Sequence, residues 1–130
     1  MSKQDILIDF CGLLAQLADN LAVLDPNTIL AQNIKLVHKF IIDEPIKIIS
    51  GFKLYVLKYK DMIYSKDENF FLNNSYKNEV KNNKGDMSED FIMGQILNVK
   101  TIWKKLDNDT KDSIFTYAIY LCQLTEKYFE

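Results

Sequence analysis

The stretch PIKIISGFKLYVLKYKDMIY, residues 45–64, decides the fold because its apolar side chains recur at steps of three and four. This spacing is typical of one face of an α-helix. The apolar face covers an arc of about 140°, which can contact two neighbouring helices at once. We therefore predict that residues 45–64 form one continuous helix with a central place in the fold. Its apolar face consists of Ile48, Ile49, Phe52, Tyr55, Val56, Tyr59, Met62 and Ile63.

Two leucines in this stretch fall outside the apolar arc, on the side that carries charged residues. They are Leu54 and Leu57. A contiguous patch of exposed apolar side chains often marks a contact site. In the alternative, the next segment folds back onto the helices, buries its two phenylalanines and covers Leu57. The predicted partner-binding surface comprises Leu54, Leu57, Phe70, Phe71 and Leu72.

The segment that carries the two phenylalanines is predicted to be a short helical turn. Ser65 and Glu68 have the spacing of a capping box, which marks the start of a helix. An Asn- and Lys-rich stretch follows at residues 73–87, and we expect it to be a mobile polar loop.

Helical spacing extends over most of the remaining chain. The predicted helices span residues 3–24, 26–42, about 86–106 and 109–128. Asp25 suits the N-cap of the second helix, and Pro26 suits its first position. The alternation typical of strands never persists. We predict an all-α fold in a single domain, residues 1–130: a compact bundle of four or five helices, with the third and the last helix central.

The charged residues count against a nucleic-acid partner. The formal net charge is −2, and all 16 basic residues are lysines. Arginine, which supplies bidentate contacts to guanine and phosphate, does not occur. The alternative is a nucleic-acid-associated or virion-packaging protein that uses the lysines of the loop at residues 73–87.

No group of residues points to catalysis, to a cofactor or to a metal. His38 is the only histidine, and no nucleophile or orienting acid can be assigned to it. We expect it at the surface or at the edge of the core. Cys11 and Cys122 lie among apolar residues, so we expect two reduced core thiols and a cytoplasmic location. A small enzyme is the last of the alternatives.

Three further expectations concern the helices. No run reaches about 18 apolar residues, so we expect no membrane span. Trp103 lies on an apolar stripe between Val99 and Leu106, and we expect it to anchor the core. Gly12 lies inside a predicted helix, and we expect another helix to approach it closely.

Two parts of the chain resemble a group of viral proteins. The residues are FKLYVLKY at 52–59, KDENFFL at 66–72 and IWKKL at 102–106. This pattern resembles small helical proteins of large nucleocytoplasmic DNA viruses. The resemblance implies a viral origin and a location in the host cytoplasm, the virus factory or the virion, and it implies no activity. We therefore expect a non-enzymatic helical protein–protein interaction module, whose partner is another protein or a second copy of the chain.

Overall fold

The computed structural model describes residues 2–73, residue 103 and residues 105–130, and for Ile29 and residues 71–73 it describes the backbone. All regular secondary structure in these ranges is helical, which confirms the all-α class for this part of the chain. The remainder of the loop predicted at residues 73–87 and most of the helix predicted at 86–106 lie outside the described residues. The helices are α1 (Lys3–Leu24), α2 (Ile29–Gln32), α3 (Ile34–Asp43), α4 (Pro45–Tyr55), a 3₁₀ turn (Leu57–Tyr59), α5 (Lys60–Tyr64), α6 (Glu68–Asn73) and α7 (Asn108–Tyr128).

Helix α1 is one of the two helices that contact the most described elements, and α4 is the other. Helix α1 packs against α2, α3, α4 and α7. Its start is fixed by a capping box, in which Ser2 and Asp5 each accept a hydrogen bond from the other's backbone N–H. Helix α4, the first part of residues 45–64, contacts α1, α3, α7 and the 3₁₀ turn, so it has the several neighbours that its wide apolar arc predicted. Helix α7 contacts α1, α4 and α5, as a central last helix should.

Two contacts show that α1 and α7 run antiparallel. Near the end of α1, the Asn20 side-chain amide donates a hydrogen bond to the Tyr117 hydroxyl at 3.0 Å. Near its start, Lys3 Nζ lies 5.4 Å from the centroid of the Tyr128 ring. Two apolar clusters fill the space around α1. One contains Ala18, Leu21, Leu30, Val37 and Ile41, and the other contains Leu7, Phe10, Ile48, Ile49 and Leu121.

The helix predicted at residues 26–42 is divided in the structure. Pro26 lies in a turn, and the first helical residue is Ile29. Asp25 is the C-cap of α1 and not the N-cap of the next helix, because its carboxylate accepts from the Asn27 N–H in a local turn. The cap is Thr28, whose hydroxyl accepts from the Ala31 N–H at 3.1 Å.

The helix predicted at residues 45–64 is also divided. α4 ends at Tyr55, and the Tyr59 N–H then bonds to the Val56 carbonyl, three residues back, which tightens the chain into a 3₁₀ turn. Tyr55, which precedes the turn, and Ile63, which follows it, are both buried. Both α4 and α5 therefore place apolar side chains in the core, although the 3₁₀ turn separates them.

Asp67, rather than Ser65, caps α6. Lys66 has a left-handed backbone with φ 55°, which ends α5. The Lys66 N–H bonds to the Ile63 carbonyl and the Asp67 N–H to the Met62 carbonyl, the pattern of a Schellman motif. Asp67 then accepts from the Phe70 N–H at 3.0 Å, while the Ser65 hydroxyl donates to the Met62 carbonyl. The predicted capping box is wrong because Ser65 still belongs to the end of α5.

Helix α1 is long enough and apolar enough to cross a membrane, with a mean hydropathy of 1.6 over its most apolar window. The core helix of a soluble protein meets the same criterion, so the absence of a membrane span stays a prediction. In the structure 28% of that window is buried, and the helix packs against α2, α3, α4 and α7.

The expected close approach to Gly12 is absent among the described residues. A Cβ atom added at Gly12 would meet nothing within 4 Å. The position is exposed, so no neighbouring helix of the described part requires a glycine there.

Candidate partner-binding surface

Helix α4 has an inner face that belongs to the core. Ile48, Ile49 and Tyr55 are buried. Phe52 meets the Phe10 ring of α1 edge-on, with ring centroids 5.4 Å apart. Pro45 occupies the first turn, where its missing N–H costs no hydrogen bond. The orientation of α4 is therefore fixed by apolar contacts along one side.

The opposite face of α4 carries two large apolar side chains in solvent. Ile46 is 58% exposed and Leu54 is 56% exposed. They are eight residues apart with Ser50 midway, and residues four apart lie on the same face of a helix. At 1.5 Å per residue, about 12 Å of helix separates the two. We call Ile46, Ser50 and Leu54 the outer stripe.

Lysines flank the outer stripe on both sides. Seven residues make about two helical turns, so Lys53 lies beside Ile46 and Lys47 lies beside Leu54. Lys53 is exposed, and its Nζ lies 4.4 Å from the centroid of the Phe129 ring. In such a cation–π contact the ammonium group of the lysine stays charged. Residues 45–60 contain four lysines and no Asp or Glu, in a chain of net charge −2. The outer face of α4 thus carries two exposed apolar side chains between two lysines, and Asp43 and Glu44 directly precede the helix.

Among the described side chains of the predicted surface, Leu54 is the most exposed. Leu57 lies in the 3₁₀ turn and is half-buried. Phe70 is also half-buried, and its ring lies 5.5 Å from that of Tyr59. The side chains of Phe71 and Leu72 lie outside the described part of the structure.

Polar contacts attach α6 to α7, which supports the folded-back alternative for Phe70. Glu68 Oε1 accepts hydrogen bonds from Trp103 Nε1 at 2.7 Å and from Lys111 Nζ at 2.9 Å. These two donors, Lys111 first, lower the pKa of the Glu68 carboxyl. Lys66 also pairs with Asp112 of α7. Phe70 therefore belongs to a packed segment and not to a free apolar patch.

Ile46 is the surface residue that the sequence reading missed. It precedes Leu54 by eight residues, and the small Ser50 lies between them. The sequence feature that indicates this exposed pair is the spacing of two apolar residues on the face opposite the core face of the same helix. Ile46 was not predicted because it lies outside the apolar arc of residues 45–64.

His38 lies at the edge of the molecule, as expected. Its Nε2 is 2.7 Å from an Asp19 carboxylate oxygen, and the pair links α3 to α1. Both side chains are more than one third exposed. The contact holds two helices together, and within the described part of the chain no hydrogen bond joins a third group to this pair, as a catalytic triad requires.

Both cysteines are free thiols, and burial suppresses their ionisation. Cys122 is fully buried, and burial, followed by the nearby Glu126 carboxylate, raises its pKa to about 12. Cys11 is half-buried, and burial raises its pKa as well. A thiolate is the nucleophilic form of cysteine, so neither side chain is prepared for nucleophilic attack near neutral pH. The expectation of core thiols is met in full by Cys122 and in part by Cys11.

A hydrogen-bonded group lies next to Cys122. The Tyr64 hydroxyl donates to Glu126 Oε1 at 2.8 Å, and Lys60 Nζ lies 3.6 Å from Glu126 Oε2. Burial and this hydrogen bond raise the pKa of Tyr64. The group joins α5 to α7.

Among the described residues, no group of three or more His, Cys, Asp or Glu side chains could hold a metal ion. The absence of a metal and of a cofactor stays a prediction for the whole chain.

No family model, no curated protein and no solved structure matches this chain.

Proposed function

We propose that the chain is a compact bundle of four or five helices in one domain and acts as a non-enzymatic protein–protein interaction module. Its contact site is the outer stripe of α4. The observation that carries the proposal is the exposure of Ile46 and Leu54 on one face of a helix whose other face is fixed in the core. The proposed setting is the cytoplasm, with a viral origin.

Free energy favours covering the outer stripe. Burying a whole Leu or Ile side chain stabilises by about 1.5–3 kcal/mol, and more than half of each side chain is still available here. This gain does not make a complex by itself, because association costs at least about 4 kcal/mol in lost freedom. A partner must therefore contact the surrounding helix face as well.

A pair of variants tests the proposal. Leu54→Lys puts a charge in the stripe, whereas Val23→Lys makes the same change in net charge at a residue of α1 that is 78% exposed. Both variants should melt within a few degrees of the wild type, because neither side chain contributes to the core.

The readout is affinity capture of each tagged variant from native cells, followed by mass spectrometry. We expect a protein that wild type and Val23→Lys retain and that Leu54→Lys loses. If all three retain the same proteins, the outer stripe is not the contact site. If Leu54→Lys unfolds, Leu54 belongs to the core and the proposal fails.

A further inference from the structure

We propose that residues 66–70 form a strap that ionic contacts hold closed against two aromatic side chains, Trp103 and Tyr59, and that opens as a unit about Lys66. The strap goes beyond the proposed function and does not depend on the outer stripe. Three features carry it, which are its attachment to α7, the packing around it and the backbone of Lys66.

Ionic contacts attach the strap to α7 at two neighbouring positions. Glu68 Oε1 accepts a hydrogen bond from Lys111 Nζ at 2.9 Å. Lys66 pairs with Asp112, the next residue of α7. Apart from that of Lys111, each of these side chains is more than one third exposed. Exposed ion pairs stabilise little, and salt screens them, so dissolved salt weakens the attachment of the strap.

The strap contacts two aromatic side chains. The Trp103 N–H donates to Glu68 at 2.7 Å, and the Phe70 ring lies 5.5 Å from the Tyr59 ring. Trp103 also meets the Phe115 ring of α7 edge-on. When the strap opens, Trp103 therefore keeps its contact with α7 and loses Glu68, so that its indole edge becomes accessible.

The packing allows the strap to open while the core stays folded. Among the described helices, the closely packed pairs do not include α6. Neither of the two apolar clusters around α1 includes a strap residue. Segments with few buried apolar contacts open locally, and a helix as short as α6 is not stable alone. The strap therefore opens at a lower free-energy cost than the helices around α1.

Lys66 is the hinge of the strap. Among the described residues other than glycine, it alone has a positive φ, 55°. A left-handed backbone is unfavourable for a residue with a Cβ atom and persists where the surrounding structure imposes it. Opening lets Lys66 return to an ordinary conformation. The backbone of the hinge thus favours the open strap, and the ionic contacts with α7 oppose it.

Hydrogen–deuterium exchange of the full chain tests the strap, because amide exchange reports local opening. The backbone N–H groups of Lys66, Asp67 and Phe70 are all hydrogen-bonded in the closed strap. Mass spectrometry follows one peptide that covers residues 66–70 and one from α1, at about 50 and 500 mM NaCl. We expect high salt to speed exchange in the strap about two- to fivefold, the effect of losing exposed ion pairs, and to leave α1 unchanged.

The only tryptophan gives a second readout of the same opening. Acrylamide carries no charge, so salt does not alter its attraction to the protein. It should quench the fluorescence of Trp103 more strongly at 500 mM than at 50 mM NaCl, about in proportion to the exchange of the strap.

A matched pair of variants locates the attachment. Lys111→Gln removes the cation that binds Glu68, and Lys127→Gln makes the same change in net charge at an exposed lysine of the same helix. At 50 mM NaCl, strap exchange should be about two- to fivefold faster in Lys111→Gln than in the wild type and unchanged in Lys127→Gln. The α1 peptide shows whether Lys111→Gln is folded, and the salt series on the wild type decides if it is not.

Four results would overturn the proposal. Strap exchange in the wild type ignores salt, or the strap in a folded Lys111→Gln exchanges as in the wild type. Salt accelerates the strap and α1 equally, so that only unfolding of the whole molecule exposes Trp103. The strap exchanges as fast as an unfolded chain already at 50 mM NaCl, so that it is never closed. None of these results bears on the outer stripe, which Leu54→Lys tests separately.

Discussion

At the scale of single residues, Trp103 shows how one side chain joins separate segments. It is 7% exposed, its ring meets that of Phe115 edge-on at 5.5 Å, and its N–H is bonded to Glu68. The sequence predicted its burial from helical spacing and the structure confirms it. The bond to Glu68 could not be predicted, because the two residues are 35 positions apart and meet only in the folded chain.

Trp103→Ala should lower the free energy of unfolding by about 3–5 kcal/mol, since it removes a large buried ring. Urea unfolding followed by circular dichroism measures the loss. Because Trp103 is the only tryptophan, native fluorescence should also be blue-shifted relative to the unfolded chain. Solvent-like emission from the native protein would contradict the burial.

Glu68 should make the protein sensitive to acid. Its folded-state pKa is lowered from the ordinary value of 4.5, so the ionised form is favoured by folding. The resulting stability is present above pH 4.5 and is lost as the pH falls through the lower folded-state pKa. Asp107 has a lowered pKa as well, through its bonds to Thr110, and contributes in the same direction.

Glu68→Gln keeps an acceptor for the Trp103 N–H and removes the charge. The variant should be less stable than the wild type at pH 7, and the difference should shrink as the solution is acidified towards pH 3. Urea unfolding of the variant and of the wild type, at several pH values between 7 and 3, measures the difference in their free energies of unfolding. A difference that stays constant with pH would show that the carboxylate charge contributes nothing.

At the scale of helices, the long elements were predictable and the interruptions were not. α1 and α7 combine long apolar periods with local caps at Ser2 and Asp107, and both were predicted within one residue at either end. The breaks at Asn33 and Val56 leave no mark in the spacing of the apolar residues, which continues across both. The start of α6 was misplaced because Ser65 and Asp67 are both good caps, and the left-handed Lys66 decides between them.

Lys66 offers a test of that helix end. A residue with a Cβ atom pays about 1–2 kcal/mol in the left-handed region, and glycine does not. Lys66→Gly and Lys66→Ala both lose the exposed pair with Asp112, so their difference isolates the backbone. We expect the glycine variant to be about 1 kcal/mol more stable than the alanine variant, the reverse of the order inside a helix. A more stable alanine variant in urea unfolding would rule out the left-handed conformation.

At the scale of the whole molecule, the all-α class of the described residues followed from the sequence, whereas the many contacts of α1 did not. The arc at residues 45–64 is wide already in α4 and its C-cap, where the buried and half-buried apolar side chains from Ile48 to Val56 span about 120° of the helix. α1 shares the central place with α4, because each of the two contacts four other elements, a property of the assembled chain. Of the outer stripe, only Leu54 was predicted, because helical spacing places this leucine opposite the core face.

Folding should require neither a metal nor a disulfide, since both cysteines are free thiols. Thermal melts with and without a chelator and a reductant should therefore overlay. A fall of more than about 5 °C, which corresponds to about 1 kcal/mol for a domain of this size, would show that one of them stabilises the fold.

The central claim is that the outer stripe of α4 is the surface that a partner protein covers. Photo-crosslinking in native cells tests it most directly, with a benzophenone amino acid placed at position 54, at position 46 or at the exposed control position 23. The claim requires crosslinked products of the same partner mass from positions 54 and 46 and none of that mass from position 23. Products from position 23 alone, or none from position 54, would contradict it.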